Sequence, residues 1–160
     1  MKYDLTFNRF WETIKNISVL NREVEVYFIS EDYKEMAPTE RQIKLLDSLD
    51  NLPVTIIEQL NEWARKYYRK CMVDWQIPGY EIMEDFGFEI DEANIQNHYG
   101  IGEVVIPRIQ SCTDKYVFLT GGCGWDIEHG IEFLLKNGTP IQCTAQEGLC
   151  LNKGWDKYIN

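Results

Sequence analysis

The sequence predicts an α+β domain in which a helical hairpin packs against a mainly antiparallel β-meander. Three observations carry this. Between residues 39 and 71 apolar residues recur at helical spacing in two consecutive runs. Beyond residue 100 the pattern changes to strand-length segments rich in β-branched and aromatic residues. Asn137-Gly138 sits between two of those segments, where a hairpin turn belongs. At 160 residues the chain is of a size for one domain, 1–160. That length removes about two thirds of the unfolded surface from water.

Tyr3, Leu5 and Phe7 alternate with polar neighbours and predict a short strand. Phe10, Trp11 and Ile14 then follow helical spacing and predict a short helix or turn. Glu23 to Ile29 is a clearer strand, with Val24, Val26 and Phe28 on one side. Residues 31–38 read as a loop. Thr39-Glu40-Arg41-Gln42 is a capping-box sequence, and Ile43, Leu46 and Leu49 form the buried stripe of the helix it opens. Asp50-Asn51-Leu52-Pro53 stops that helix and starts another, marked by Ile56, Ile57, Leu60, Trp63, Ala64, Tyr67 and Cys71. The short link predicts antiparallel packing of the two helices. The basic cluster from Arg65 to Lys70 is placed to complement the helix dipole at its C-terminal end. Pro78-Gly79 marks a turn.

Residues 103–109, 114–121 and 126–135 are predicted strands, closed by 140–145; Pro107 argues for an edge or a bulge in the first. Lys115 to Thr120 is apolar on both faces, as a central strand covered on both sides would be. The tail from Leu149 to Ile159 is expected to dock on the body.

The net charge is −10, and it is uneven. Residues 1–80 carry 11 basic and 13 acidic groups, and residues 81–160 carry 5 and 13. So acidic a second half repels nucleic acid and anionic lipid and would steer a basic protein toward it. No apolar run approaches the roughly 18 residues that cross a bilayer, and no secretory leader is evident at the start. The five cysteines form no Cys-x-x-Cys pair and no Cys/His cluster, so no zinc or other metal site and no cofactor is expected. They read as buried, reduced thiols of a cytoplasmic protein.

The stretch from Gly121 to Gly130 holds four of the eleven glycines, one of the two histidines and two acids. Strict alternation from Trp125 to Leu135 would send Trp125, Ile127, His129, Ile131, Phe133 and Leu135 inward. Asp126, Glu128 and Glu132 would then face outward. Three readings of Asp126, Glu128 and His129 compete. As catalysis, paired carboxylates share protons or hold a cation, but no nucleophile or metal motif accompanies them. As structure, Trp125, a buried His129 and Gly130 organise the strand, Gly138 its turn, and the acids fix local amides. As recognition, Trp125 and the acids meet a partner. For the following turn, the hydrophobic pattern favours a three-residue loop, Lys136-Asn137-Gly138, pairing Phe133 with Ile141 and Ile131 with Cys143.

Trp125-Asp126-x-Glu128-His129-Gly130, followed by an apolar strand and Asn137-Gly138, resembles the signature of uncharacterised bacterial domains of the DUF6985/DUF2004 type. In these a W-D-x-E-H-G strand follows a Y-x-L-x-G-x-C strand. Tyr116 to Cys123 is similar, with one residue more between the aromatic and the glycine. Thr39-x-x-Gln42 and the aromatic-rich second helix extend the likeness over roughly 20–145. The resemblance implies a family without a settled activity, similar to immunity proteins encoded beside bacterial toxins, and so binding rather than catalysis. The expected function is therefore non-enzymatic protein binding, in its narrower form neutralisation of a cognate toxin. The expected contact surface is Glu84, Asp85, Glu89, Asp91, Glu92, Asp126, Glu128 and Glu132. The alternative is a small hydrolase or metal-dependent enzyme using Asp126, Glu128 and His129, which requires both acids in one pocket with His129 or His98.

Overall fold

The computed structural model describes residues 2–30, 36–74, 90–109 and 113–146. The predicted turn at Pro78-Gly79, the acids Glu84, Asp85 and Glu89, and the C-terminal tail lie outside the described residues. Among those described, seven strands form one sheet in chain order: β1 (Thr6–Phe7), β2 (Trp11–Ile17), β3 (Arg22–Ile29), β4 (Tyr99–Pro107), β5 (Tyr116–Cys123), β6 (Asp126–Lys136) and β7 (Thr139–Thr144). Every neighbouring pair is antiparallel except β3 and β4, which run parallel. The helices α1 (Glu40–Ser48) and α2 (Ile56–Asp74) fall between those two strands, so they form the crossover a parallel pair needs. The α+β expectation holds, with the meander β4 to β7 in the predicted order.

The capping box forms. Thr39 Oγ1 accepts from the Gln42 amide at 3.1 Å, and the Thr39 amide donates to Gln42 Oε1 at 3.0 Å. Gln42 is itself buried, and its Nε2 donates to the Ile106 carbonyl at 3.0 Å, tying the start of α1 to the sheet. A 3-10 turn, Leu49–Asn51, links the helices. Val24, Val26 and Phe28 on β3, Val117 and Leu119 on β5, and Ile131, Phe133 and Leu135 on β6 pack with Leu46, Ile56, Leu60 and Ala64 of the helices. On the other sheet face Tyr116, Phe118 and Leu134 form a second cluster with Ile29 and Val105. Strand β5 is thus buried on both sides, as its composition predicts.

Four expectations need correction. Residues 11–17 are a strand, not a helix. The inward positions are Trp11, Thr13, Lys15 and Ile17, and the buried Lys15 disguises the alternation. Its ammonium reaches Asp50 at 2.9 Å and the Tyr3 hydroxyl at 3.3 Å, so the charge is partnered. Pro107 marks neither an edge nor a bulge. It is the last residue of the inner strand β4, and the next amide, Arg108, donates to the Ile29 carbonyl at 2.7 Å. The turn after β6 has two residues, Asn137 and Gly138, both at positive φ (51° and 81°). Lys136 pairs with Thr139, a bulge follows opposite Leu134 and Leu135, and Phe133 then pairs with Cys143. The apolar faces do match, but an irregularity inside the strand matches them. Finally, α2 runs to Asp74, so the cluster from Arg65 to Lys70 stops short of the helix end. Its charges are used sideways: Arg65 on Glu58 and Glu62, Arg69 on Glu92, and Lys70 on Asp74.

Candidate functional site

The Gly121–Gly130 stretch joins β5 to β6, and close backbone approach explains two of its four glycines, Gly121 and Gly130. A Cβ on Gly121 would lie 1.6 Å from the Gly100 carbonyl oxygen across the strand pair. Gly130 adopts φ +67°, and a Cβ there would lie 2.3 Å from the Gly121 oxygen. Left-handed backbone at Gly130 breaks the two-residue alternation. C-terminal to it the predicted faces hold for Ile131, Phe133 and Leu135. N-terminal to it they do not. Ile127 is 68 % exposed and Asp126 is buried at 6 % exposure; Glu132, C-terminal to Gly130, keeps its predicted face but is covered there, at 1 % exposure. The expected outward row of acids and the inward His129 are therefore both corrected.

Asp126 is the centre of the turn. Its Oδ1 accepts from the His129 amide at 3.1 Å and lies 2.9 Å from His129 Nδ1. Its Oδ2 accepts from the Tyr67 hydroxyl at 3.2 Å, and the same hydroxyl is 3.3 Å from the Gly130 carbonyl. The His129 side chain is half exposed. Trp125 is fully buried at the turn, with edge contacts from Tyr67 and Tyr68 at centroid distances of 5.8 and 5.6 Å. The motif therefore anchors the sheet to α2, and Tyr67, which the sequence places in the apolar face of that helix within the Arg65–Lys70 cluster, is the missing member. Its membership of the apolar stripe Leu60, Ala64, Tyr67 and Cys71 was the signal available.

A cleft of about 540 Å³ opens beside this anchor between α2 and the β6–β7 edge. Asp126 and His129 line it, together with Lys66, Tyr67, Cys71 and Thr144; Glu128 and His98 do not. Burial pushes the Cys71 thiol up to about 11 and Cys123 up to about 12, and it raises Cys143 and the Tyr67 phenol strongly. Thiols held neutral in this way are poor nucleophiles at neutral pH. Among the described residues no group of three or more His, Cys, Asp and Glu side chains is placed to hold a metal ion.

Asp91, Glu92 and Glu128 are the other predicted contact acids among the described residues. Asp91 caps the 3-10 segment Glu92–His98, accepting from the Ala93 amide at 3.1 Å and from Asn94 Nδ2 at 2.8 Å. The Asn94 bond, first among its causes, holds its carboxyl below the usual value. Glu92 pairs with Arg69 at 2.6 Å. Glu128 is exposed. Of the described members of the predicted surface, Asp126 and Glu132 are buried and present no carboxylate to solvent.

Acids do gather on the outer face of β2–β4, which sequence reasoning missed because it placed residues 11–17 in a helix. Cross-strand register sets Ile14 opposite Glu25, Glu25 opposite Glu103, and Glu12 opposite Tyr27. The Tyr27 hydroxyl donates to Glu25 Oε2 at 2.6 Å. That bond, followed by burial and the charges of Glu25, Glu103 and Glu12, raises the phenol well above its ordinary value. Glu103 accepts from Thr120 at 3.1 Å.

The profile of the family described as "Domain of unknown function (DUF6985)" matches residues 1–151. The chain belongs to this family. No curated protein and no solved structure matches it. The match covers every described strand and helix of the DUF6985 domain, including β1 to β3, which the motif-based resemblance covered only in part.

Proposed function

We propose that this DUF6985 domain works by binding a basic protein and not by catalysis. The carrying observation is the state of Asp126. Both of its oxygens are taken, by Tyr67 and by the main chain and ring of His129, so the constellation that looked catalytic acts as a strut between sheet and helix. The surplus of 26 acids over 16 bases then acts at the surface, where it steers a cationic partner. The described thiols, Cys71, Cys123 and Cys143, are free and buried, which suits a reducing cytoplasm. No described helix is long and apolar enough to cross a membrane. The narrower form of the proposal is an immunity protein that neutralises a cognate bacterial toxin; it rests on size, acidity and the resemblance.

Affinity capture from the native host, at low and at moderate salt, tests the reading. A basic partner released by salt is the expected result, and recovery of nothing at either salt overturns it. For the narrower form, a neighbouring reading frame should halt growth when expressed alone, and co-expression of this chain should restore it.

The short Asp126–His129 contact at the cleft supports a second reading, in which the buried acid orients the imidazole as a general base toward water. Equal hydrolysis of ester and phosphoester test substrates by the wild type and by His129→Ala would remove it.

A further inference from the structure

The outer face of β2–β4 combines features that each have a cost to the free protein. Glu25 and Glu103 lie directly opposite each other on neighbouring strands, an arrangement of like charges that destabilises a sheet. Glu12 stands one strand over, opposite Tyr27. Among these acids Ile14 is 59 % exposed. A hollow of about 450 Å³ runs along the same place, lined by Glu12, Ile14, Glu25 and Tyr27. Lys2 also lines it, but its ammonium is held by Asp47 at 2.8 Å and does not neutralise the glutamates. Charge alone would mark a solvated surface. An apolar side chain set among carboxylates that oppose one another, on a rigid sheet, is what a contact face requires.

We infer that this face is the docking surface for a polypeptide segment that presents lysine or arginine on either side of an apolar side chain. The apolar group would cover Ile14 and the Tyr27 ring, and the cations would answer Glu12, Glu25 and Glu103. This inference rests on the basic-partner reading above and specifies its surface. Tyr27 fixes Glu25 by its hydrogen bond and Thr120 fixes Glu103, so both carboxylates are oriented before a partner arrives. Pre-set groups lose little freedom on binding.

The test is a nuclear magnetic resonance titration of the full chain with a short synthetic peptide alternating lysine with isoleucine, and with a counterpart in which glutamate replaces lysine. The lysine peptide should perturb Ile14, Glu25, Tyr27 and Glu103 first, and the glutamate peptide should perturb none of them. In the Glu25→Gln/Glu103→Gln double variant the affinity should fall about tenfold, the scale of one lost charge-assisted contact. Glutamine keeps the shape and one acceptor oxygen, enough to receive the Tyr27 or Thr120 hydroxyl, so the variant stays folded, as an unchanged circular dichroism spectrum will verify. Ile14→Ala, at an exposed position, should weaken binding while leaving the salt dependence intact. Perturbations centred on other acids, such as Glu58 and Glu62 of α2, or unchanged affinity in the double variant, would overturn this surface and leave the basic-partner reading standing. No binding of the lysine peptide at low salt would count against both.

Discussion

Gly121 and Gly122 are neighbours in sequence with opposite predicted fates on substitution by alanine. At Gly122 an added Cβ meets nothing within 4 Å. At Gly121 it would lie 1.6 Å from the Gly100 oxygen, 2.7 Å from the Gly100 carbonyl carbon and 3.0 Å from the Ile101 Cα. All three atoms are backbone, so no rotamer change relieves the clash. Restoring an ordinary contact of 3.4 Å requires β4 and β5 to part locally by about 2 Å, beyond the reach of the ladder bonds there. Overpacking alone costs about 1–3 kcal/mol. Each buried ladder bond left unmade adds about 1–3 kcal/mol. Gly121→Ala should therefore lose roughly 3–5 kcal/mol, a large share of the 5–15 kcal/mol typical of a domain. Gly122→Ala should stay within about 0.5 kcal/mol of wild type. Urea denaturation followed by circular dichroism measures both. A Gly121→Ala protein within about 1 kcal/mol of wild type would refute the close approach, and with it the explanation of the glycine-rich turn.

Tyr67→Phe removes the donor to Asp126 and leaves a buried carboxylate oxygen short of a partner, so it should cost about 1–3 kcal/mol in the same assay. Thr39→Ala deletes the cap of α1 and should cost about 1 kcal/mol. Glu25→Gln should do the reverse, stabilising by roughly 0.2–1 kcal/mol at low salt, with the gain shrinking in high salt. A destabilised Glu25→Gln would contradict the idea that the face carries a repulsion. The buried thiols set an alkaline limit. Below the ordinary value of 9.0 both states hold the proton and this contribution is fully present. Between that value and about 11 for Cys71 or about 12 for Cys123, the unfolded chain gives up the proton while the native one keeps it, so stability falls as pH rises. The slope approaches about 1.4 kcal/mol per pH unit for each thiol. The urea midpoint should drop between pH 8 and pH 10, and an unchanged midpoint would show the thiols to be less buried than they are placed.

Local chemistry was enough to determine much of this protein. Thr39 and Gln42 are three residues apart, so the capping box is legible from spacing. The two-sided apolar run from Lys115 to Thr120 announces a central strand, because only burial on both faces tolerates it. The order of the meander follows from turn residues and strand lengths, and the Trp125–Gly130 motif pointed to the family. What only the tertiary structure decided depends on atoms distant in sequence. Residues 11–17 are a strand because β3 pairs with them and Asp50 and Tyr3 satisfy Lys15, none of which a local period contains. Asp126 turns inward because Gly130 leaves the extended region where the Gly121 oxygen permits no side chain. The acids of Glu12, Glu25 and Glu103 form one face because β2, β3 and β4 bring together segments some ninety residues apart. Periodicity assigns a side chain to one of two faces of its own strand. It carries no information on which strand lies alongside, and that neighbour decides whether a glutamate is a lone solvated charge or part of a surface.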